Sequence, residues 1–170
     1  MRSVSTVTVL VLLAATPDSL AAQAHQQHSA HAGPTTRADT AFRALQNRGA
    51  RVMGVDQYTS SHRFDALPDG GRIELVRDVD DTAGARTIRE HLRTVAHQFA
   101  NGDFSASAAV HAQVVPGTAV MRARRERIRY EVRPLPRGGE LRITTADPDV
   151  LRAIHEFLAF QRADHRTAEK

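Results

Sequence analysis

Cysteine is absent from this chain. That excludes disulfides, thiolate metal sites, iron–sulfur clusters and cysteine nucleophiles, and leaves the core alone to hold the fold. Lysine is nearly absent too: Lys170 is the only one, so the formal charge of +4 rests on arginine. Long hydrophobic runs are also missing. The one apolar stretch near the start, Val7–Ala15, falls short of the roughly 20 residues a membrane span needs, so no stable membrane insertion is expected. The signatures of several enzyme classes are lacking as well. There is no G-x-S-x-G elbow for a serine hydrolase, no H-x-x-x-H or H-E-x-x-H on a helix, and no glycine-rich phosphate loop at a strand-to-helix junction. Arg122, Arg124, Arg125, Arg127 and Arg129 form a basic stripe, but Tyr130 shares the inward face with Ile128 and Val132. Nucleic-acid binding wants exposed aromatics interleaved with such a stripe, and is not expected as a partner.

The start of the chain is informative about address. Arg2, the run Val7–Ala15 and the A-x-A site Ala22-Gln23-Ala24 read as a secretory signal peptide over residues 1–24. Export to the periplasm or the extracellular space is the expectation. The tract that follows, His25-Gln26-Gln27-His28-Ser29-Ala30-His31, opens a tail over residues 25–36 too polar and small to pack, read as disordered. Cleavage after Ala24 would put an α-amine beside the His25 imidazole, a two-nitrogen chelate. Cleavage after Ala22 would give Gln23-Ala24-His25, whose amine, amides and imidazole suit a square-planar copper or nickel ion. His25 and His28 are therefore candidate metal ligands, against the plain reading of a polar tail with incidental histidines.

The remainder, residues 37–170, is expected to form a single α+β domain. Leu67-Pro68-Asp69-Gly70-Gly71-Arg72-Ile73-Glu74-Leu75 corresponds to Leu135-Pro136-Arg137-Gly138-Gly139-Glu140-Leu141-Arg142-Ile143. Proline and paired glycines between alternating segments signal a hairpin turn. His62, Phe64 and Ala66 precede the first turn with period two, and Ile128, Tyr130 and Val132 precede the second, as half-buried strands require. A helix follows each hairpin. The first runs from about Thr82 to Asn101 with stripe Ile88, Leu92, Val95 and Phe99. The second is capped by Asp147 with Pro148 at its first position, and its stripe is Val150, Ile154, Phe157 and Leu158, continuing into Gln161 and His165. The spacing thus predicts a duplicated ββα unit, a four-stranded antiparallel sheet with two helices on one face, plus an N-terminal helix over Ala38–Asn47 that ends before Gly49. Residues Ser105–Thr118, with His111, are expected to be a covering element or functional loop.

Histidine is the abundant chemical group, with nine in the chain. His97 lies opposite the stripe of its helix and His155 off the stripe of the other, while His91 borders its stripe. His62 and His165 are placed inward, with Gln161 beside them. Inward polar groups are costly unless paired, so they mark internal hydrogen-bond networks or sites. The plain alternative is two core-edge histidines bonded to backbone carbonyls or to Asp164. The segment pattern Met53-Gly54-Val55-Asp56-Gln57, His62-x-Phe64, Gly70-Gly71 and Phe157-Leu158-Ala159-Phe160-Gln161-x-x-Asp164-His165 resembles a group of small exported bacterial proteins with no established activity. The resemblance draws attention to Met53–Gln57, His62, Gln161 and His165.

Three readings follow. In the first, the protein binds a small ligand or a metal ion, copper or zinc, through His62 and His165, with Gln161 orienting the ligand and His111 contributing from the loop. In the second it is an enzyme of unknown substrate, one of those histidines serving as general base and Asp164 or Asp56 orienting it. In the third it is an interaction module, a homodimer through an exposed edge strand.

Overall fold

Three of the helices begin at side-chain caps that the sequence places one residue before them. Thr36 and Asp39 form a reciprocal capping box at the head of α1 (Arg37–Met53). Asp81 accepts a hydrogen bond from the Gly84 amide at the head of α2 (Thr82–Ala100). Asp147 does the same for the amides of Asp149 and Val150 at the head of α5 (Pro148–Asp164). The computed structural model describes residues 36–167, so the expected leader and residues 25–35 of the expected tail, with His25 and His28, lie outside the described residues, while Thr36, assigned to the tail, caps α1 instead.

Between these helices stand two hairpins, β1 (Ser60–Leu67) with β2 (Gly70–Arg77), and β3 (Ile128–Leu135) with β4 (Gly138–Thr145). They form one antiparallel sheet in the order β1-β2-β4-β3, so the fold is α+β as the spacing predicts. In the central pair Ile73 lies opposite Leu141. These two residues hold the same place in the two matching sequence segments, so an approximate two-fold axis passes between them. The helices do not cover their own hairpins. Helix α2, which follows β2, lies on β4 and β3, and α5, which follows β4, lies on β1 and β2. Each hairpin–helix unit therefore completes the core of the other, and neither buries its apolar face alone.

The packing uses the second glycine of each pair. A methyl group on Gly71 would collide with Leu158 Cδ1, and one on Gly139 would come within 3.0 Å of Leu92 Cδ1. These glycines let the helices sit close to the sheet, a role distinct from the positive φ that the turn signal implies. The core beneath includes Phe64, Leu75, Ile88, Leu141, Ile143, Ile154 and Phe157. Each such side chain contributes about 1.5–3 kcal/mol through burial. The opposite face of the sheet is charged and cross-linked: Arg72 pairs with Asp65, Glu74 and Glu140, and Arg133 with Glu131 and Glu140.

One expectation needs correction. The N-terminal helix does not end before Gly49 but continues to Met53, where Gly54 supplies the left-handed cap at φ 70°. Gly49 stays helical because Met53 and Gln57 pack against it, at 3.1 and 3.3 Å from where a Cβ would sit. The segment Ser105–Thr118 is a covering element, one of the two forms expected of it. It holds α3 (Ser105–His111), packed on α1, and leads into α4 (Thr118–Ala123), packed on α5.

Candidate functional site

Helices α1, α2 and α3 and the end of α5 close over the β1 end of the sheet, and a cavity of about 90 Å³ remains there. At about 30 Å³ per water, that is room for roughly three waters. Its wall is mostly apolar, from Phe64, Ile73, Leu75, Leu92, Phe99 and Phe157. Against that wall stand four imidazoles, those of His62, His91, His111 and His165, with Gln161 and Ser107. Among the described residues, no acidic side chain lines it.

Period two along β1 turns His62 to the helix side, opposite Leu75. His165 caps α5 one turn beyond Gln161, with a helical backbone at φ −78° and ψ −2°. The two rings meet, their centroids 4.9 Å apart and their planes at 29°. Phe64 stacks on His62 at 5.7 Å and tilts against His165 at 5.4 Å, while His111 meets His165 edge-on at 5.2 Å. His62 Nε2 faces Met53 Sδ at 3.4 Å.

Burial sets the charge state of this cluster. It pushes the His62 imidazole down to about 4, with repulsion from His91 and His111 adding to the effect. It pushes His165 down to about 3, helped by His62 and His111 and weakly opposed by Asp164. His91 is lowered by burial alone. At neutral pH these three rings are therefore neutral and keep a free lone pair each.

Their nitrogens differ in availability. His111 is fully committed: Nδ1 lies 2.5 Å from Asp164 Oδ2 and Nε2 lies 2.8 Å from Gln161 Oε1. Gln161 in turn donates from Nε2 to Ser107 Oγ at 3.0 Å. This buried chain, Asp164–His111–Gln161–Ser107, ties α3 to α5. Among the described residues, the ring nitrogens of His165 and His91 make no hydrogen bond to protein.

A second hollow, of about 210 Å³, is lined by Gln46, Gln57, Ser60, Ser61 and Thr167 together with the same two histidines. His62 and His165 thus belong to the walls of both the polar cleft and the apolar cavity. Gln57 is only 4% exposed. Its Oε1, and the Oγ1 of Thr167, are buried without a hydrogen-bond partner in the described structure. Buried polar atoms left unpaired cost about 1–3 kcal/mol each, and Gln57 Oε1 lies against Gly49 of α1.

The four residues singled out by the sequence, His62, His111, Gln161 and His165, thus converge. Their roles are not those expected. Gln161 does not reach between His62 and His165; its amide is held by His111 and Ser107. Asp164 orients His111, and Asp56 is a turn cap that accepts from the Tyr58 amide. His155 is structural, with Nε2 2.9 Å from the Leu67 carbonyl and 3.0 Å from that of Gly70. His91, which borders the stripe of its helix and is a candidate to join His62 and His165, does line the cavity; Met53, Gln57 and Ser107 join the site without having been picked out as ligands. Aligning the two N-caps, Asp81 with Asp147, offers one signal: it sets Val95 against Gln161 and Phe99 against His165. On this alignment, the second helix carries polar groups where the first is apolar. The His/Asp/Glu donors do not gather as for a metal: among the described residues no group of three or more of them could hold one.

No helix in the described residues is long and apolar enough to cross a membrane. Comparison with protein-family models, with curated proteins and with solved structures gives no match.

Proposed function

We propose that this is an exported binding protein whose ligand occupies the cavity between the sheet and the helices and is held by the neutral imidazoles of His165 and His62. One observation carries this reading: the His165 ring stacks on His62 at the cavity wall with both nitrogens unpaired by protein. A neutral ring with free lone pairs beside an apolar cavity is a ready acceptor for a ligand's hydrogen-bond donor. A neighbouring cleft that shares His62 and His165 is lined by the polar residues Gln46, Gln57, Ser60, Ser61 and Thr167. Export is inferred from the leader-like residues 1–24.

Binding is favoured over catalysis because the one histidine with an orienting carboxylate is not free to act. His111 has the Asp164 partner that a general base uses, but Gln161 Oε1 occupies its other nitrogen.

Phenol tests the reading: its ring matches the apolar wall and its hydroxyl can donate to an imidazole nitrogen. Titrated into ¹⁵N-histidine-labelled protein, phenol should shift the side-chain nitrogens of His62 and His165 saturably, and the His165→Phe variant should lose the response at His62. Absence of any saturable shift at either ring in the wild-type protein overturns the proposal.

A further inference from the structure

We infer that the pocket's ligand class is a soft monovalent metal ion, Cu(I), taken up between Met53 Sδ and His62 Nε2, an assignment that rests on the binding reading above. The two atoms face each other at 3.4 Å across the mouth between helix α1 and strand β1. With metal–nitrogen and metal–sulfur distances of about 2.0 and 2.3 Å, an ion touching both at that separation subtends an angle of about 100°. That angle belongs to trigonal or tetrahedral coordination and leaves one or two positions open.

Candidates to fill them are near. His165 is stacked on His62 with no protein hydrogen bond at its nitrogens, and His91 lines the same cavity in the same condition. Stacked rings direct their lone pairs along near-parallel planes, so His165 must rotate to join. His111 cannot join without breaking its bonds to Asp164 and Gln161.

The donor set chooses the ion. A thioether is a soft ligand that favours Cu(I), and an imidazole accepts it as well. All the donors are neutral, and among the described residues no carboxylate lines the cavity. A zinc or copper dication would bring twice the charge into this apolar surround without an anion to offset its desolvation. A monovalent ion carries the smaller penalty. The contact has a simpler reading, an imidazole N–H donating weakly to sulfur, and the experiment must separate the two.

The full chain, freed of metal and loaded anaerobically with Cu(I), provides the test by X-ray absorption and by competition against a chromophoric Cu(I) chelator. Histidines 25, 28 and 31 offer nitrogen only, and the chain holds three methionines, Met1, Met53 and Met121, so a sulfur neighbour of copper reports methionine. The expected result is one sulfur at about 2.3 Å in wild type and in Met121→Leu, lost in Met53→Leu together with at least a tenfold fall in affinity. Met53→Leu is close to isosteric, and an unchanged far-UV circular dichroism spectrum with a cooperative thermal transition shows that it is folded. A copper sphere with no sulfur, or an affinity unchanged by Met53→Leu, overturns the copper assignment. If phenol still shifts His62 and His165 in that event, the pocket reading stands; if it does not, both readings fall.

Discussion

The imidazoles of His62, on the second inward position of β1, and His165, at the end of α5, lie stacked with centroids 4.9 Å apart. Both are held neutral chiefly by burial. A pair of uncharged heterocycles in van der Waals contact is ordinary core packing for shape and poor core packing for polarity. It is the latter that makes the pair testable.

Replacing His165 by Phe keeps a ring against His62 and Phe64 and removes two ring nitrogens that have no protein partner among the described residues. The expected outcome is a protein more stable at pH 7 by about 1 kcal/mol, or several degrees in Tm. Phenol and Cu(I) binding should weaken in the same variant. Such a trade of stability for binding is the mark of a site. A clear loss of stability, measured by thermal unfolding, would show that His165 is instead held by a structural interaction.

The pH dependence has a definite sign. In the unfolded chain a histidine titrates near 6.5, whereas His62 and His165 titrate at about 4 and about 3 when folded. The unfolded state therefore binds more protons between these values, and stability falls as pH drops below 6.5. The loss continues to about pH 4 for His62 and about pH 3 for His165, and should amount to a few kcal/mol in total. Above pH 6.5 the two contribute no slope. Urea midpoints measured from pH 7.5 to pH 4 should show this fall, and the double variant His62→Phe, His165→Phe should flatten most of it.

Much of this arrangement was legible in the chain because strand and helix periods are local. Period two put His62 with Phe64, and the 3.6-residue period put His165 below Gln161 on the stripe of α5. What the periods lack is partner identity. Nothing local to α2 says that it lies on β3 and β4 rather than on its own hairpin. Nothing local to Gln161 says that its amide is taken by His111 and Ser107, since both belong to a segment whose helix is only seven residues long. Met53 entered only through the resemblance pattern, because a methionine at a helix end reads first as a gap-filler in the core. Gly49 misled for a related reason: glycine is a stop signal by propensity, but here close packing of Met53 and Gln57 requires its missing side chain.

The crossed helices make a prediction about glycine. A Cβ on Gly71 would run into Leu158 Cδ1, and Ile154 Cγ2 stands 3.3 Å away. Gly71→Ala should therefore cost about 1–3 kcal/mol by overpacking, read from urea unfolding. Leu158→Ala alone should also destabilise, by leaving a cavity. Combined, the two should cost less than their sum, because the new methyl partly fills the space vacated by leucine. Strict additivity in that double-mutant cycle would show that α5 can shift along the sheet and that the contact is not close.

The buried chain Asp164–His111–Gln161–Ser107 should behave as one unit. Gln161 is 5% exposed and serves two partners, accepting at Oε1 from the His111 side and donating at Nε2 to Ser107. Gln161→Leu preserves most of the volume but orphans His111 Nε2 and Ser107 Oγ together, and should cost about 2–4 kcal/mol. Ser107→Ala removes only one acceptor at the end of the chain and should cost about 1 kcal/mol. The double variant should be no worse than Gln161→Leu alone, since alanine leaves no unpaired hydroxyl behind. Because the chain joins α3 to α5 beside the cavity, hydrogen exchange in Ser105–His111 should quicken in Gln161→Leu while β2 and β4 keep their protection. Equal loss of protection across the sheet would mean that the chain supports the whole domain rather than the wall of the site.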